Sequence, residues 1–183
     1  IMQQLLKWTL ETIREEESSF SWMEEYRYEW APLAKSAVSQ SIEGKTALII
    51  TDESHEWFAK YILNNINDLK KNRPLLPFYA LSSCFPHLHS MKSTQDLQLL
   101  EDMLDISYPN GYYIWYIGKG DHPFTKLAYR NEDSFLWVMD EEVQDSFALR
   151  SSDTLLDIKL LQLFKLFDNT LSAALFGDLD LES

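Results

Sequence analysis

The chain has 183 residues, of which 45% are hydrophobic. Its 6 Trp, 9 Tyr and 10 Phe are ample for a packed core, and this composition excludes an intrinsically disordered protein. Its formal net charge is −13, which disfavours direct binding to DNA or RNA because phosphate backbones repel an acidic surface. We therefore expect a single domain over residues 1–183 that does not bind nucleic acid directly.

Two helices are predicted before the first strand. The first is indicated by apolar residues at helical spacing, which are Met2, Leu5, Leu6 and Ile13. The second covers residues 28–42 and ends at Gly44, a residue type that readily adopts the left-handed conformation after a helix. Aromatic residues lie among glutamates near the start of this second helix, namely Trp22, Tyr26, Tyr28 and Trp30. Some of them suit a contact surface, and others belong to the core.

Short apolar runs then alternate with helical segments. The runs are residues 47–50, 75–81, 112–117, 134–139 and 147–149, which we interpret as five strands. A long final helix is predicted over residues 154–177. This alternation predicts an α/β fold: a Rossmann-type three-layer sandwich with a parallel sheet and helices on both faces. Ligands of such sheets bind at the carboxyl ends of the strands, so we look for a site in the loops that follow them.

Those loops carry weak signals for chemistry. Residues 51–56 contain three carboxylates and no Gly, which favours capping of the next helix, or an exposed recognition loop, over a phosphate cradle. His87 and His89 lack the further ligands that a zinc site needs. Cys84 has no visible base partner, which favours a buried structural thiol. We therefore predict no metal, no cofactor and no catalytic residues.

The sequence also bears on location. No apolar run approaches the roughly 20 residues of a membrane span, and no secretory signal opens the chain. One cysteine cannot build a disulfide framework, so we expect a reducing cytoplasm as its location. The densest basic cluster, formed by Lys70, Lys71 and Arg73, is interpreted as a solvated helix end.

The final helix is more apolar than docking on one sheet requires. Large hydrophobic residues cover roughly half of its circumference, which is wider than the usual stripe of about 100°. One interpretation places the helix between the sheet and the N-terminal helices. The other places one edge of the helix in an interface with another chain, and this edge contains Ile158, Leu161 and Phe164.

Three segments carry a resemblance to a known family: EWFAKYILNNINDLKKNRPLL, SFLWVMDEE and TLLDIKLLQLFKLFDNTL. They resemble the HobA family of bacterial replication-initiation regulators, and the likeness covers most of the chain. The LFDNTL segment also resembles the end of DiaA, a functional counterpart with the sugar-isomerase (SIS) fold. The resemblance implies an SIS-like sandwich and a homotetramer that binds the N-terminal domain of the initiator DnaA and promotes DnaA assembly at the replication origin. It implies no catalytic activity and no cofactor.

The resemblance also implies contact residues on the last helix. In DiaA a Leu-Phe pair after Asp-Asn-Thr is implicated in DnaA contact, whereas here Asp168-Asn169-Thr170 are followed by Leu171 and Ser172. The Leu matches and the Phe does not, and Phe176, one turn later, is a candidate substitute for the missing ring. The expected partner-binding residues are Asp168, Leu171, Ser172, Phe176, Trp22, Tyr26 and Trp30.

The alternative function is a sugar-phosphate isomerase or a sugar-phosphate-sensing SIS domain. Such a protein needs a loop rich in Ser, Thr and Gly to hold the phosphate, and the acidic residues 51–56 argue against it. A non-enzymatic scaffold for DnaA is the favoured interpretation.

Overall fold

A single five-stranded sheet organises the computed structural model, which describes residues 1–16 and 18–181. The strands are β1 (Thr46–Thr51), β2 (Phe78–Ala80), β3 (Tyr112–Lys119), β4 (Phe135–Met139) and β5 (Ser146–Leu149). All neighbours pair in parallel, in the order β2-β1-β3-β4-β5. Parallel neighbours need crossover connections, and helices lie in those from β1 to β2, β2 to β3 and β3 to β4, whereas residues 140–145 join β4 to β5 without a helix.

Helices cover both faces of this sheet. They are α1 (Met2–Glu15), α2 (Arg27–Ile42), α3 (Glu56–Ile66), α4 (Leu81–Cys84), α5 (Thr94–Ser107), α6 (Thr125–Ala128) and α7 (Leu156–Leu175). A 3₁₀ helix at Ser18–Met23 lies between α1 and α2. None of the helices in the described part of the chain is long and apolar enough to cross a membrane.

The larger core lies between the sheet and the helices α1, α2, α3 and α7. Trp115 of β3 stands at its centre, with ring centroids 4.9 Å from Phe167 and 5.2 Å from both Phe135 and Trp137. Phe167 belongs to α7, so the last helix is anchored by aromatic contacts with β3 and β4.

The smaller core lies on the opposite face, under α4, α5 and α6. Leu100 and Leu104 of α5 are buried there beside sheet residues such as Ile114. A capping box starts α5: the Ser93 hydroxyl accepts a hydrogen bond from the Asp96 amide, and the Asp96 carboxylate accepts one from the Ser93 amide, both at 3.1 Å.

The predicted fold class is confirmed: an α/β sandwich with a parallel sheet of five strands, helices on both faces and two N-terminal helices. One strand is shorter than predicted. The strand expected over residues 75–81 covers only Phe78–Ala80, because Pro77 has no amide for the ladder and Leu81 already begins α4. The last helix covers Leu156–Leu175, slightly less than the predicted residues 154–177, and Gly177 follows it with a φ of +79°, which suits glycine.

Phe167 and Phe176 offer a matched test of the α7 anchor. Phe167→Ala should lower the free energy of unfolding by about 3–4 kcal/mol, because the ring is fully buried among aromatic neighbours. Phe176→Ala should change it by less than about 0.5 kcal/mol, because this ring is 54% exposed. Urea unfolding followed by far-UV circular dichroism measures both, and equal losses would contradict the assigned anchor.

Candidate functional site

The strand order of the sheet switches direction between β1 and β3, the point at which sheets of this topology hold ligands. Here Asp52, the residue after β1, fills that point. Its carboxylate accepts hydrogen bonds from the His55 ring at 2.5 Å and from the Lys119 amide at 2.9 Å. Burial raises the pKa of Asp52, but these hydrogen bonds outweigh it and hold the pKa below its ordinary value of 3.8. The carboxylate is therefore ionised at neutral pH.

Gly118 in β3 makes room for the Asp52 side chain. A Cβ atom at position 118 would lie 2.9 Å from Asp52 Cγ and 2.7 Å from the Tyr116 hydroxyl, closer than Cβ atoms pack. The Tyr116 hydroxyl donates to the Lys119 carbonyl at 2.6 Å. Burial raises the pKa of Tyr116 well above its ordinary value of 10, so the hydroxyl remains a neutral donor. The switch point is thus packed with the chain's own side chains.

A phosphate group would meet like charge here. Asp52 lies at the switch point, and Glu53 beside it accepts a hydrogen bond from His122 Nε2 at 3.0 Å. The prediction that residues 51–56 cap the next helix is wrong for Asp52, because its carboxylate is turned to the His55 ring and the Lys119 amide. The Asp52 carboxylate therefore fills the switch point between β1 and β3.

The histidines and the cysteine were also candidates for chemistry. Within residues 1–16 and 18–181, no three His, Cys, Asp or Glu side chains are placed to hold a metal ion. The interpretation of Cys84 as a buried thiol is wrong, since Cys84 is exposed. The reason is that α4 is one turn long and buries only Leu81, while the Tyr108 hydroxyl reaches the exposed Sγ at 3.6 Å.

The outer surface of α7 offers a different kind of site. Residues that are exposed or half-buried recur every three or four positions along it, and we call them the α7 stripe: Leu155, Ile158, Gln162, Lys165, Asn169, Ser172 and Phe176. Its two ends are apolar and its middle is polar. Ile158 is 52% exposed and Phe176 is 54% exposed, so large hydrophobic groups face solvent at both ends.

A groove of about 410 Å³ runs beside the first half of the α7 stripe. Its opposite wall is formed by the end of α1 and the following 3₁₀ helix, including Phe20 and Glu16. Ile158 and Leu161 line the α7 side, and Lys165 lies on the same side. The groove therefore combines apolar walls with one acidic and one basic side chain.

The aromatic residues predicted for this region fall into two groups. Trp22 is half-buried; its indole N–H donates to Gln162 at 2.9 Å, and the Lys159 ammonium lies 4.8 Å from its ring centroid. Tyr26 is 44% exposed. Trp30, in contrast, is fully buried beside Trp137, so its predicted contact with a partner is wrong: α2 turns this side chain onto the sheet.

Two predicted residues of α7 also belong to the core. Leu171 is fully buried, and Phe164 is 2% exposed. Both lie on the side of α7 that packs against the sheet and α3, where the Phe164 ring meets Tyr61 edge to face at 5.6 Å. Direct contact of Leu171 with a partner and of Phe164 with a second subunit are therefore corrected to packing roles within the chain.

Asp168 and Ser172 take part in a polar network that fastens α7 to the segment before β2. The Asp168 carboxylate forms ion pairs with Lys71 and Arg73. The Arg73 guanidinium also donates to the Ser172 hydroxyl at 2.7 Å and to the Ile66 carbonyl at 2.6 Å. The interpretation of the basic cluster as a solvated helix end is wrong for Lys71 and Arg73, because Asp168 draws them against α7.

Comparison with known proteins identifies the family. A model of the HobA family, described as a DNA replication regulator, matches residues 2–181. The DNA replication regulator protein HobA of Helicobacter pylori is 34% identical over 189 aligned residues, which cover 98% of this chain and 100% of the relative. The chain belongs to the HobA family.

Two solved HobA structures share the fold. A HobA–DnaA (domain I–II) complex from Helicobacter pylori matches with a TM-score of 0.77 and 30% identity, covering 95% of this chain and 97% of that one. The crystal structure of HobA from the same organism matches with a TM-score of 0.74 and 30% identity, covering 95% and 96%. The fold of this HobA-family chain therefore agrees with crystal structures of its relatives along nearly its whole length.

Removal of the Asp168 charge should destabilise the chain. Asp168→Asn should lower the free energy of unfolding by about 3 kcal/mol, because the Arg73 side chain is 2% exposed and would lose its charge partner. The exposed Asp157 on the same helix provides the control, and Asp157→Asn should change stability by less than about 0.5 kcal/mol. A loss below about 1 kcal/mol for Asp168→Asn in urea unfolding would refute a structural role of the network.

The depressed pKa of Asp52 predicts a pH-dependent contribution to stability. A carboxylate with a lowered folded-state pKa stabilises the fold above its unfolded value of 3.8 and loses this contribution as the pH falls through the folded value. Wild type should therefore be more stable than Asp52→Asn at pH 7, and the difference should shrink below about pH 3.8. Urea unfolding of both proteins at each pH tests this, and a difference that is independent of pH would contradict it.

Proposed function

We propose that this chain is a non-enzymatic scaffold that binds the N-terminal region of the replication initiator DnaA and promotes DnaA assembly at the chromosomal origin. The observation that carries the proposal is the match, over 95% of the chain, to a HobA structure in complex with DnaA domains I–II. The closed switch point supports the non-enzymatic part, since Asp52 occupies the usual ligand position. We further propose that the protein acts in the cytoplasm and that residues 1–183 form one domain.

The groove beside the α7 stripe is our candidate for the contact between subunits. Ile158 and Leu161 present apolar surface there, and Glu16 and Lys165 are placed on opposite walls. In a two-fold interface each groove meets its own copy, so Lys165 of one subunit can approach Glu16 of the other. We propose that this contact builds dimers within a homotetramer.

The carboxyl end of the α7 stripe is our candidate for DnaA contact. Phe176 is an exposed ring one turn beyond Ser172, and Arg73 holds the Ser172 hydroxyl in place. Aromatic anchors of this type dominate the energy of protein interfaces. Tyr26, which is also exposed, is a second candidate, and its ring lies 6.1 Å from that of Trp22, whose indole N–H donates to Gln162 in the first half of α7.

Multivalency supplies the mechanism. A tetramer that holds several initiator molecules raises their effective concentration near one another. Such linkage can raise avidity by ~10²–10⁴ without any new contact to DNA. The acidic chain, with a net charge of −13, needs no nucleic-acid contact of its own to act in this way.

Native mass spectrometry with and without DnaA domains I–II tests the two surfaces separately. Ile158→Asp should reduce the subunit count, because a carboxylate would be buried in the groove contact. Phe176→Ala should keep the wild-type subunit count and weaken DnaA binding by about tenfold or more, as for truncation of an interface anchor.

The control is Ile106→Asp, which places the same charge on an exposed isoleucine of α5 and should leave both assembly and binding unchanged. A wild-type protein that does not bind DnaA domains I–II would refute the function itself. Normal DnaA binding by Phe176→Ala would remove only the assigned contact, and an unchanged mass of Ile158→Asp would remove only the assigned subunit interface.

A further inference from the structure

A second surface lies at the carboxyl edge of the sheet, away from the α7 stripe. Two adjacent cavities of about 380 and 270 Å³ open there. They share the residues Leu88, His89 and Phe124, and the His89 and Phe124 rings stand 5.2 Å apart between them. The two cavities therefore form one groove with two lobes, which we call the edge groove.

Both lobes have apolar walls. The first lobe lies between α3 and α4 and is lined by Ile50, Leu63 and Leu88. The second lies between α5 and α6 and is lined by Met91, Leu97 and Leu127 as well as Leu88. Apolar pockets of this size accept one large aliphatic or aromatic side chain each.

The rim of the edge groove is basic, although the chain as a whole is acidic. Lys60 borders the first lobe, and Lys92 and Lys126 border the second, while Glu56 is the one carboxylate of the described residues that lines either lobe. Asp96 lies just outside the second lobe, where its carboxylate accepts a hydrogen bond from the Lys92 amide at 3.0 Å. The ammonium groups of these three lysines form no ion pair with any carboxylate of the described residues. A locally positive groove on a chain of net charge −13 favours an anionic partner.

The layout of the charges distinguishes a peptide from a small anion. A phosphate needs several donors that converge on one point, whereas the three lysines stand on separate elements: α3, the loop before α5, and α6. Carboxylates spaced along a chain, with apolar side chains between them, match both the separated charges and the two lobes. This pattern is complementary to an acidic protein segment.

We propose that the edge groove binds an acidic segment of a partner protein. Two apolar side chains of the segment occupy the two lobes, and its carboxylates pair with Lys60, Lys92 and Lys126. The site shares no residue with the α7 stripe, so it does not depend on the proposed DnaA contact. The scaffold would thus carry a second type of partner on another side of each subunit.

The test uses the full-length chain and a panel of synthetic peptides in which two Leu or Phe residues are separated by runs of Asp and Glu of increasing length. Matched peptides carry Lys in place of the acids. We expect at least one acidic peptide to bind by fluorescence polarisation, and to shift the amide resonances of Leu88, His89 and Phe124 in NMR spectra. The combined variant Lys60→Glu, Lys92→Glu, Lys126→Glu should weaken that binding by about tenfold, since each exposed pair contributes modestly.

Lys70→Glu is the control, because this exposed lysine also lacks a carboxylate partner among the described residues but lies outside the groove. It should change the affinity by less than about twofold. Substitution of the three groove lysines by Gln repeats the test if the Glu variant unfolds. Equal weakening by Lys70→Glu, no preference for acidic over basic peptides, or shifts at the groove by inorganic phosphate but by no peptide would each overturn the proposal.

Discussion

The aromatic contact between α7 and the central strands decides which parts of this chain can reach a partner. Phe167 lies against Trp115 and Phe135, and this contact fixes the rotation of the helix about its own axis. Once the inner face is set, Leu171 and Phe164 are inside and Ile158 and Phe176 are outside. The ion pairs of Asp168 with Lys71 and Arg73 add a polar restraint on the same rotation. A helix held in this way presents a rigid outer stripe, which lowers the entropy lost on binding.

Much of the fold could be predicted from sequence periodicity, because strands buried on both faces read as continuous apolar runs. The face of α7 that packs against the sheet could not be predicted in this way. Its large hydrophobic residues cover too much of the circumference to indicate which arc faces the sheet, and Leu171 and Ile158 look alike in the sequence. Asp168 was equally ambiguous, since its partner Arg73 lies 95 residues away and contact at that distance leaves no local pattern. The partner contact of Leu171, which the DiaA resemblance implies, and that of Trp30, an aromatic residue among glutamates, are both wrong because the structure places these side chains in the core.

At the switch point, the local sequence argues against a phosphate site. Three carboxylates and no Gly in residues 51–56 argued against a phosphate cradle, and the structure gives the physical reason in the Asp52 carboxylate bound by His55 and the Lys119 amide. The sequence could not identify Gly118 as the complement of Asp52, because the two residues meet only when β1 and β3 pair. A small residue on one strand and a carboxylate after its neighbour together close the site.

The closed ligand site matters for the proposed scaffold because it removes a source of internal motion. Domain motions that open and close around a small ligand would change the relative positions of surfaces on opposite sides of the sheet. Here the ionised Asp52, which follows β1, accepts a hydrogen bond from the amide of Lys119 at the end of β3, and the neutral Tyr116 hydroxyl donates to the carbonyl of Lys119. Internal hydrogen bonds therefore hold the carboxyl ends of β1 and β3 together. The α7 stripe and the edge groove are then fixed relative to each other. A rigid separation between the two proposed binding surfaces limits the conformational entropy that the scaffold itself loses when partners bind to both of them.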